Sequence, residues 1–300
     1  MKVTVKVPAS TANIGTGVDC LGIALSKYLT VVFEESDTLE FVFKAGFDHP
    51  IPLDQNLVYE GARRVFERAG QPLPPWKVTM VTDIPGSRGL GSSASAIVAG
   101  AYGANAWLGE PLPESELINI ATEIEGHPDN IVPCAVGGFT IAMAGPGGEV
   151  QYHKIVPNRY LRFVTAIPDY ELSTKKARAV VPGEFSRGDL VTQLQRACFL
   201  VGCLASGDLR CLDVASDDIV FTPARRALIP GFDEVTGAAM AHGAMCSMIS
   251  GAGPTILAFA QGREQEIADA MKAGFARAGI DSAVEILCAD TKGAIVIAER

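Results

Sequence analysis

One short stretch of the chain, Pro85–Ser95 (PGSRGLGSSAS), combines three glycines, four serines and the expected start of a helix. Glycines let the backbone come close to a ligand, and the first turn of a helix presents unpaired N–H groups at the positive end of its dipole. The hydroxyls of Ser92, Ser93 and Ser95 can donate to a phosphate or add oxygen ligands to Mg²⁺. These residue types predict an anion site. A glycine-rich turn capped by serines is the other interpretation that they allow.

The spacing of this stretch differs from two common nucleotide-binding motifs. It lacks the lysine of GxxxxGK[ST], and its glycines do not follow GxGxxG. The net charge of −9 at pH 7 provides no general attraction for nucleic acid or for an anionic membrane surface. Local donors must therefore hold a phosphate, and we expect neither nucleic acid nor a membrane as a partner.

A strand and a helix are expected on the two sides of this stretch. Trp76–Thr82 has the pattern of a strand, and Ser92–Leu108 has that of a long helix rich in small residues. A second helix is predicted over Pro113–Glu125, and Pro128 makes its continuation unfavourable. A functional loop is therefore predicted to begin at Gly126.

Strands and helices alternate through the rest of the chain, which is typical of a mixed α and β protein. The other predicted strands are Lys2–Val7, Tyr28–Glu34, Leu39–Lys44, Leu161–Ile167, Thr255–Ala260 and Ala294–Ile297. The other predicted helices are Asn56–Ala69, Leu190–Ala205, Phe232–Ala241 and Gln265–Ala278.

The length of 300 residues favours two packed lobes, and we place the boundary at Pro157–Asn158, which gives residues 1–157 and 158–300. The amino terminus lacks the apolar run of a secretory signal, and the later apolar stretches are shorter than the roughly 20 residues that span a bilayer. The seven cysteines are scattered without a CxxC pair, which is typical of reduced thiols rather than of a metal site. A cytoplasmic location is therefore expected.

Three motifs resemble the signatures of the GHMP kinases, a family of ATP-dependent small-molecule kinases. Pro85–Ser95 resembles the second signature, and Pro8–Gly15 (PASTANIG) and Ser250–Thr255 (SGAGPT) resemble the first and the third, in the family's order. The resemblance covers essentially the whole chain. It implies an α+β, two-lobed GHMP kinase fold, with an N-terminal ribosomal-protein-like α/β lobe, a C-terminal ferredoxin-like lobe and the active site in the cleft between them.

The resemblance also implies ATP and Mg²⁺ at the second signature. The residues expected to bind ATP are Pro85, Gly86, Ser87, Arg88, Gly89, Leu90, Gly91, Ser92, Ser93, Ala94 and Ser95. Glu125–Asn130 (EGHPDN) resembles a segment in which a carboxylate coordinates magnesium, so that Glu125 and Ser92 are the expected metal ligands. Glu123 is the alternative ligand, because the family varies in loop length at this point.

Several stretches resemble the branch of the family that phosphorylates L-homoserine. In Asn13–Gly22 the residues expected to hold the amino acid are Asn13 and Asp19, and the Asp19 carboxylate would pair with an ammonium group. The alternative is that Asp19 orders a turn. His127 and Gly251 are also expected beside the substrate.

Two arginines suit the other end of an amino acid. Ser173–Arg178 and Pro223–Arg225 resemble segments whose threonine and arginines bind substrate, which selects Thr174, Arg178 and Arg225. A guanidinium binds carboxylate in bidentate fashion, so that Arg178 and Arg225, opposite Asp19, would hold both ends of a zwitterion. Solvated surface arginines are the alternative without the resemblance. The branch is expected to have Pro, Phe and Tyr at the positions of Thr16, Val18 and Ala224, which leaves another small hydroxy acid open as the acceptor.

The reaction that the resemblance implies moves the γ-phosphoryl group of ATP to the hydroxyl of L-homoserine, a step toward threonine. Some relatives use an aspartate as the base, whereas the matching residue here is Asn130, so that direct attack without a strong base is expected. Asn130, Ser92 and Glu125 are the expected catalytic residues. Kinases for mevalonate, pantoate or shikimate, and a non-catalytic sensor of ATP or an amino acid, are the alternatives. The family also suggests a homodimer.

Overall fold

The first strand, β1 (Lys2–Ala12), has alternating apolar residues and lies between two other strands of a sheet in this computed structural model, which describes residues 1–47 and 49–299. Val3, Val5 and Val7 are fully buried, whereas Lys2 and Lys6 are exposed, because successive side chains of a strand face opposite sides. The strand runs five residues beyond the predicted Lys2–Val7 and includes most of the first signature.

The first sheet has seven strands in the described part of the chain, in the order β11-β1-β2-β4-β3, with β5 paired to β2 and β6 paired to β5. The further strands are β2 (Leu21–Glu35), β3 (Glu40–Phe43), β4 (Trp76–Thr82), β5 (Phe139–Ala144), β6 (Val150–Ile155) and β11 (Ile295–Glu299). The last strand of the chain thus returns to pair with the first strand.

Four helices pack on this sheet: α1 (Leu57–Arg68), α2 (Ser92–Trp107), α3 (Glu114–Glu125) and α4 (Pro128–Val136). Helix α2 is buried on almost every side, which explains its small residues. A Cβ atom at Gly100 would lie 2.1 Å from the carbonyl oxygen of Val58, so that only glycine allows α1 and α2 to approach this closely. This packing holds the N-terminus of α2 at one edge of the sheet.

The second sheet is antiparallel and has the order β10-β7-β9-β8, with β7 (Arg162–Pro168), β8 (Cys246–Ile249), β9 (Ile256–Ala260) and β10 (Ser282–Leu287). Helices α9 (Phe232–Ala241) and α10 (Glu264–Arg277) pack on one face. Ile256 and Ala258 face these helices, whereas Leu257 and Phe259 join the core of the first sheet. One hydrophobic core therefore spans both lobes, and a second lies between the second sheet and α9 and α10.

One long α-helix and three short α-helices connect β7 to α9: the long α6 (Arg187–Ser206) and the short α5 (Thr174–Ala179), α7 (Leu212–Ser216) and α8 (Thr222–Arg225). Leu200 and Leu204 of α6 and Leu212 of α7 lie in the shared core. This connection carries Thr174, Arg178 and Arg225 to the space between the two sheets.

The predicted fold class is confirmed: the chain has an α+β fold of two lobes, and the strand order of the second sheet is that of a ferredoxin-like lobe. The predicted loop after Gly126 is wrong, because α4 begins directly at Pro128. The division at residue 157 stays a proposal, and any such division separates β11 from its partner β1. Among the described residues, no helix is both long and apolar enough to cross a membrane.

Candidate active site

A cleft with a volume of about 370 Å³ lies between the two lobes, within the range of pockets that hold small ligands. It brings together nearly all residues that the sequence predicted to bind or react: Asn13, Asp19, Gly86, Ser87, Arg88, Gly89, Leu90, Gly91, Ser92, Ser93, Ser95, Glu125, His127, Asn130, Thr174, Arg178, Arg225 and Gly251. Pro85 lies outside this lining, and Ala94 is fully buried in the core beneath it.

The N-terminus of α2 opens into the cleft without a side-chain cap. Gly91 occupies the N-cap position with φ +69°, and the first intrahelical bond runs from Ser95 N to Gly91 O at 2.9 Å. The N–H groups of Ser92 and Ser93 therefore have no partner within the helix. Together with the helix dipole they form a site for an anion.

Hydrogen bonds from the C-terminal lobe hold the phosphate loop, Gly86–Ser93, in place. Ser250 Oγ lies 2.7 Å from Gly89 O, and Leu172 N donates to Ser87 O at 3.1 Å. Gly89 has φ +76°, and a Cβ atom there would lie 2.2 Å from the Ser250 carbonyl oxygen. Glycine is thus required at this position both for its backbone conformation and for its contact with the third signature.

The three serines that follow Gly91 do not have the same role. Ser92 and Ser93 line the cleft, and Ser93 Oγ donates to Glu125 Oε2 at 2.6 Å. Ser95 Oγ donates instead to Ser92 O at 2.9 Å. The predicted contribution of the Ser95 hydroxyl to a phosphate or a metal is therefore not supported, because hydroxyls of this kind bond readily to a carbonyl one turn earlier in a helix.

Glu125 and Glu123 lie on opposite sides of α3, although they are only two residues apart. Glu125 lines the cleft, and burial raises its pKa, an effect that the hydrogen bond from Ser93 partly offsets. Glu123 pairs with Arg64 and Arg68 of α1 outside the cleft. Among the two predicted candidates, only Glu125 offers an oxygen next to the serines, and this all-oxygen donor set suits Mg²⁺.

The corner between α3 and α4 contributes three polar residues. His127 Nδ1 lies 2.5 Å from Oδ1 of the buried Asp129, and the hydrogen bond and charge of Asp129 raise the pKa of His127 against the lowering effect of burial. Asn130, on the first turn of α4, faces the cleft and receives a hydrogen bond at Oδ1 from Ser10 Oγ at 2.8 Å.

Asp19 and Arg178 meet directly in the cleft. Arg178 Nη1 and Nη2 donate to the two carboxylate oxygens of Asp19 at 3.0 and 2.5 Å, and each side chain is more than 40% exposed (42% and 43%). The prediction that Arg178 lies opposite Asp19 is therefore wrong for this structure, because the guanidinium fork matches the carboxylate itself. Exposed pairs of this kind contribute only about 0–1 kcal/mol.

Arg225 is the buried cation of the cleft. Its side chain is 5% exposed, and Nε has no hydrogen-bond partner among the described residues. Burial, and then the charge of Arg178, lower its pKa. The alternative interpretation, a solvated surface arginine, is thus excluded for Arg225. That interpretation fits the neighbouring Arg226, which pairs with Asp233 at the surface.

Two family descriptions match the chain in the order of its lobes. "GHMP kinases N terminal domain" matches residues 56–138, and "GHMP kinases C terminal" matches residues 200–277, together over half of the chain. The chain belongs to the GHMP kinase family. The resemblance of the three signatures is thereby confirmed at the level of the family.

Relatives that match this GHMP kinase over nearly its full length include proteins named homoserine kinase. Homoserine kinase of Moorella thermoacetica is 42% identical over 294 residues, which cover 98% of this chain and 99% of the relative. Homoserine kinase of Trichormus variabilis is 43% identical over 301 residues, which cover 97% and 98%. The crystal structure of homoserine kinase from Cytophaga hutchinsonii has a TM-score of 0.89 at 31% identity and covers 99% of this chain and 97% of that one.

Sequence reasoning missed two parts of the site in this GHMP kinase. One is an apolar wall beside the phosphate loop, formed by Phe47, Ile51, Leu57 and Met80, next to which the buried Nδ2 atom of Asn56 has no partner among the described residues. The other is Asp129, which orients His127. The wall has no motif because its members come from separate segments, and Asn56 was included only as the start of a helix.

Asn13 and Gly251, both predicted to bind substrate, contact each other. Asn13 Nδ2 donates to Gly251 O at 2.6 Å, and Asn13 Oδ1 accepts from the backbone N of Asp19 at 3.1 Å. Asn13 thereby ties the segment before Asp19 to the third signature. Any contact of Asn13 with the substrate stays a prediction.

Proposed function

We propose that the chain transfers the γ-phosphoryl group of ATP to the side-chain hydroxyl of L-homoserine, giving O-phospho-L-homoserine and ADP in the pathway to threonine. The relatives named homoserine kinase match it over nearly their full length at about 40% identity, which supports this acceptor. The geometry of the cleft supports it independently, because the cleft combines a phosphate site with charged groups of both signs.

The observation that carries the preference for an acceptor with a carboxylate is the buried guanidinium of Arg225. A buried, incompletely bonded cation is unfavourable unless an anion joins it, and a carboxylate fits a guanidinium in bidentate fashion. Asp19 already has Arg178 as its partner, so that Arg225 is the group left for a substrate carboxylate. Acceptors with a carboxylate are therefore favoured.

The exposed pair of Asp19 and Arg178 gives the amino acid its second contact. Opening this pair costs only about 0–1 kcal/mol, so that an α-ammonium group can take the place of Arg178 at the Asp19 carboxylate. Arg178 then joins Arg225 at the substrate carboxylate. This exchange of partners would recreate the predicted arrangement, in which the two arginines lie opposite Asp19.

The phosphate loop and Glu125 act on the other substrate. The N–H groups of Ser92 and Ser93 donate to phosphate oxygens, and the apolar wall of Phe47, Ile51 and Met80 accepts the adenine ring. Glu125 and Ser92 would hold Mg²⁺. The ion, when bound, supplies positive charge beside the oxygens of the transferred group.

The residues beside the acceptor hydroxyl hold this hydroxyl in place and do not remove its proton. Asn130 has no basic atom, and His127 is engaged with Asp129. As the new oxygen–phosphorus bond forms, the bond to the leaving ADP oxygen breaks with its electron pair, and the hydroxyl proton passes to an oxygen of the transferred group. Positioning and charge stabilisation provide most of the acceleration in such a reaction.

ADP release, measured with ATP and Mg²⁺ and one acceptor at a time, tests the proposal. We expect rapid turnover with L-homoserine and turnover near the background rate with mevalonate, pantoate and shikimate. Mevalonate, pantoate and shikimate carry a carboxylate but no ammonium group, so that they test the Asp19 contact separately from the Arg225 contact. Turnover with one of them and not with L-homoserine would refute the acceptor but keep the kinase.

A second outcome would refute catalysis altogether. Tight binding of ATP or an amino acid without any phosphorylated product would identify a sensor. The cytoplasmic location, the homodimer and the individual roles of the site residues stay predictions beside this proposal.

A further inference from the structure

A serine of the first signature contacts the amide of Asn130 on the side away from the cleft. Ser10 lies on β1 with no exposed surface, and its Oγ atom donates to Asn130 Oδ1 at 2.8 Å across 120 residues of sequence. Asn130 is half-buried and lines the cleft, whereas Ser10 does not reach it. The hydroxyl therefore contacts the amide on the side that faces the core.

The neighbours of Ser10 determine which way its hydroxyl points. Cys134, one turn along α4 from Asn130, has its Sγ atom 3.3 Å from Ser10 Oγ and 3.2 Å from Pro8 O. Burial raises the pKa of the Cys134 thiol to about 12, so that the sulfur keeps its hydrogen and acts as a donor. The Ser10 hydroxyl is then free to donate to the carbonyl oxygen of Asn130.

We propose that Ser10 is a positioning residue that holds the Asn130 amide in one orientation, with Oδ1 toward the core and the Nδ2 hydrogens toward the acceptor hydroxyl in the cleft. The proposal rests on the function proposed above. An amide that can flip would present its oxygen, an acceptor, to the hydroxyl in one of its two orientations, whereas the fixed amide always presents a donor. That donor bonds to the acceptor oxygen and holds it in line with the phosphorus atom.

Ser10 also connects Asn130 to the phosphate loop. Its backbone N donates to Leu90 O at 3.2 Å, and a Cβ atom at Gly91 would lie 2.1 Å from Ser10 Oγ. One residue of β1 thus contacts both the loop that holds the phosphates and the amide that faces the acceptor. The distance between the two reacting groups is set through this residue.

A double-mutant cycle with Ser10→Ala and Asn130→Ala tests the proposal, with kcat and both KM values measured for wild type and the three variants. We expect Ser10→Ala to lower kcat about tenfold, the value of one hydrogen bond of about 1.4 kcal/mol, with the KM for ATP within about twofold of wild type. In the Asn130→Ala background, Ser10→Ala should have no further effect on kcat. A merely structural serine would lower activity in both backgrounds alike.

Thr140→Val is the matched control, because Thr140 is also fully buried on the first sheet and bonds a carbonyl oxygen, Gly22 O, away from the cleft. Its kcat should equal that of wild type. Ser10→Cys is the second variant in case Ser10→Ala does not fold. It keeps a side chain of similar shape but replaces a strong donor with a weak one, and it should also lower kcat.

Two results would overturn the proposal: an unchanged kcat in Ser10→Ala or Ser10→Cys, or the same loss of kcat with and without Asn130. The cycle is run with whichever acceptor the wild type phosphorylates. Turnover of another acceptor would therefore end the homoserine proposal without removing the test of Ser10, and the two failures are distinguishable.

Discussion

The two sides of the cleft are built in different ways. The phosphate side, Gly86–Ser93 with Glu125, takes all but one of its groups from a single run of residues between β4 and α2. The acceptor side takes Asp19, Asn130, Arg178 and Arg225 from four segments that are far apart in the chain. One side is therefore a local structure and the other is a product of how the lobes pack.

The two sides of the cleft also differ in the groups that supply their charge. Backbone N–H groups form most of the phosphate side. Together with the helix dipole they make this side electropositive, whichever side chains are present. The acceptor side depends on whether each charged side chain is paired or buried: Asp19 and Arg178 neutralise each other, whereas Arg225 is buried and its Nε has no partner within residues 1–47 and 49–299. Substitutions on the two sides should accordingly change different kinetic constants.

The largest effect is expected on the phosphate side, for Glu125→Gln. Loss of the carboxylate charge would weaken the Mg²⁺ site that we propose at Glu125, and a cost of about 4 kcal/mol corresponds to a kcat lower by about 1,000-fold. The Mg²⁺ concentration for half-maximal rate should rise. Glu123→Gln is the control, since Glu123 pairs with Arg64 and Arg68 outside the cleft, and equal losses in both variants would contradict the assignment of Glu125.

Gly89→Ala should affect the loop itself. The added Cβ would lie 2.2 Å from Ser250 O at a backbone φ of +76°, so that the loop must move, and a displacement of about 1 Å can cost about 100-fold in rate. We expect kcat/KM for ATP to fall by about that factor. Gly109→Ala tests the backbone effect alone, because Gly109 has φ +83° and open space around its Cβ position. Similar losses in both would show that the contact with Ser250 is unimportant.

On the acceptor side, Arg225→Gln should raise the KM for L-homoserine by at least about 30-fold and leave the KM for ATP unchanged. Loss of one partner from a buried charge pair costs roughly 2–5 kcal/mol. Arg226→Gln is the adjacent control, and its pair with Asp233 is exposed, so that both KM values should stay as in wild type. If Arg225→Gln instead changed the KM for ATP, Arg225 would belong to the phosphate side.

The smallest effect is expected for Asp19→Asn, with the KM for L-homoserine higher by about tenfold. Thermal unfolding should change little, because the pair with Arg178 is exposed. Asp208→Asn, which removes another exposed pair, with Arg210, should change neither the KM nor the melting temperature. A large loss of stability in Asp19→Asn would show that Asp19 orders its turn, which was the alternative interpretation.

Long periodic elements could be predicted from the sequence, whereas the short helices α4, α5, α7 and α8 were missed. Helices α1, α2, α3, α9 and α10 lie within two residues of their predicted bounds. Helix α4 was missed because Pro128 was interpreted only as the end of α3, although proline is also favoured in the first turn of a helix. The outcome matters for function, since α4 carries Asn130 into the cleft.

The amino-acid sequence alone was sufficient to predict the family, the glycine-rich loop before α2 and most of the residues that line the cleft. Glycine spacing, serines and a following helix act within a dozen residues, so that their physical effect can be read locally. Only the tertiary structure decided which arginine is buried, that Arg178 meets Asp19, that Glu125 rather than Glu123 faces the cleft, and that Ser10 contacts Asn130. Burial and pairing depend on atoms brought together from distant parts of the chain, and no local pattern encodes them.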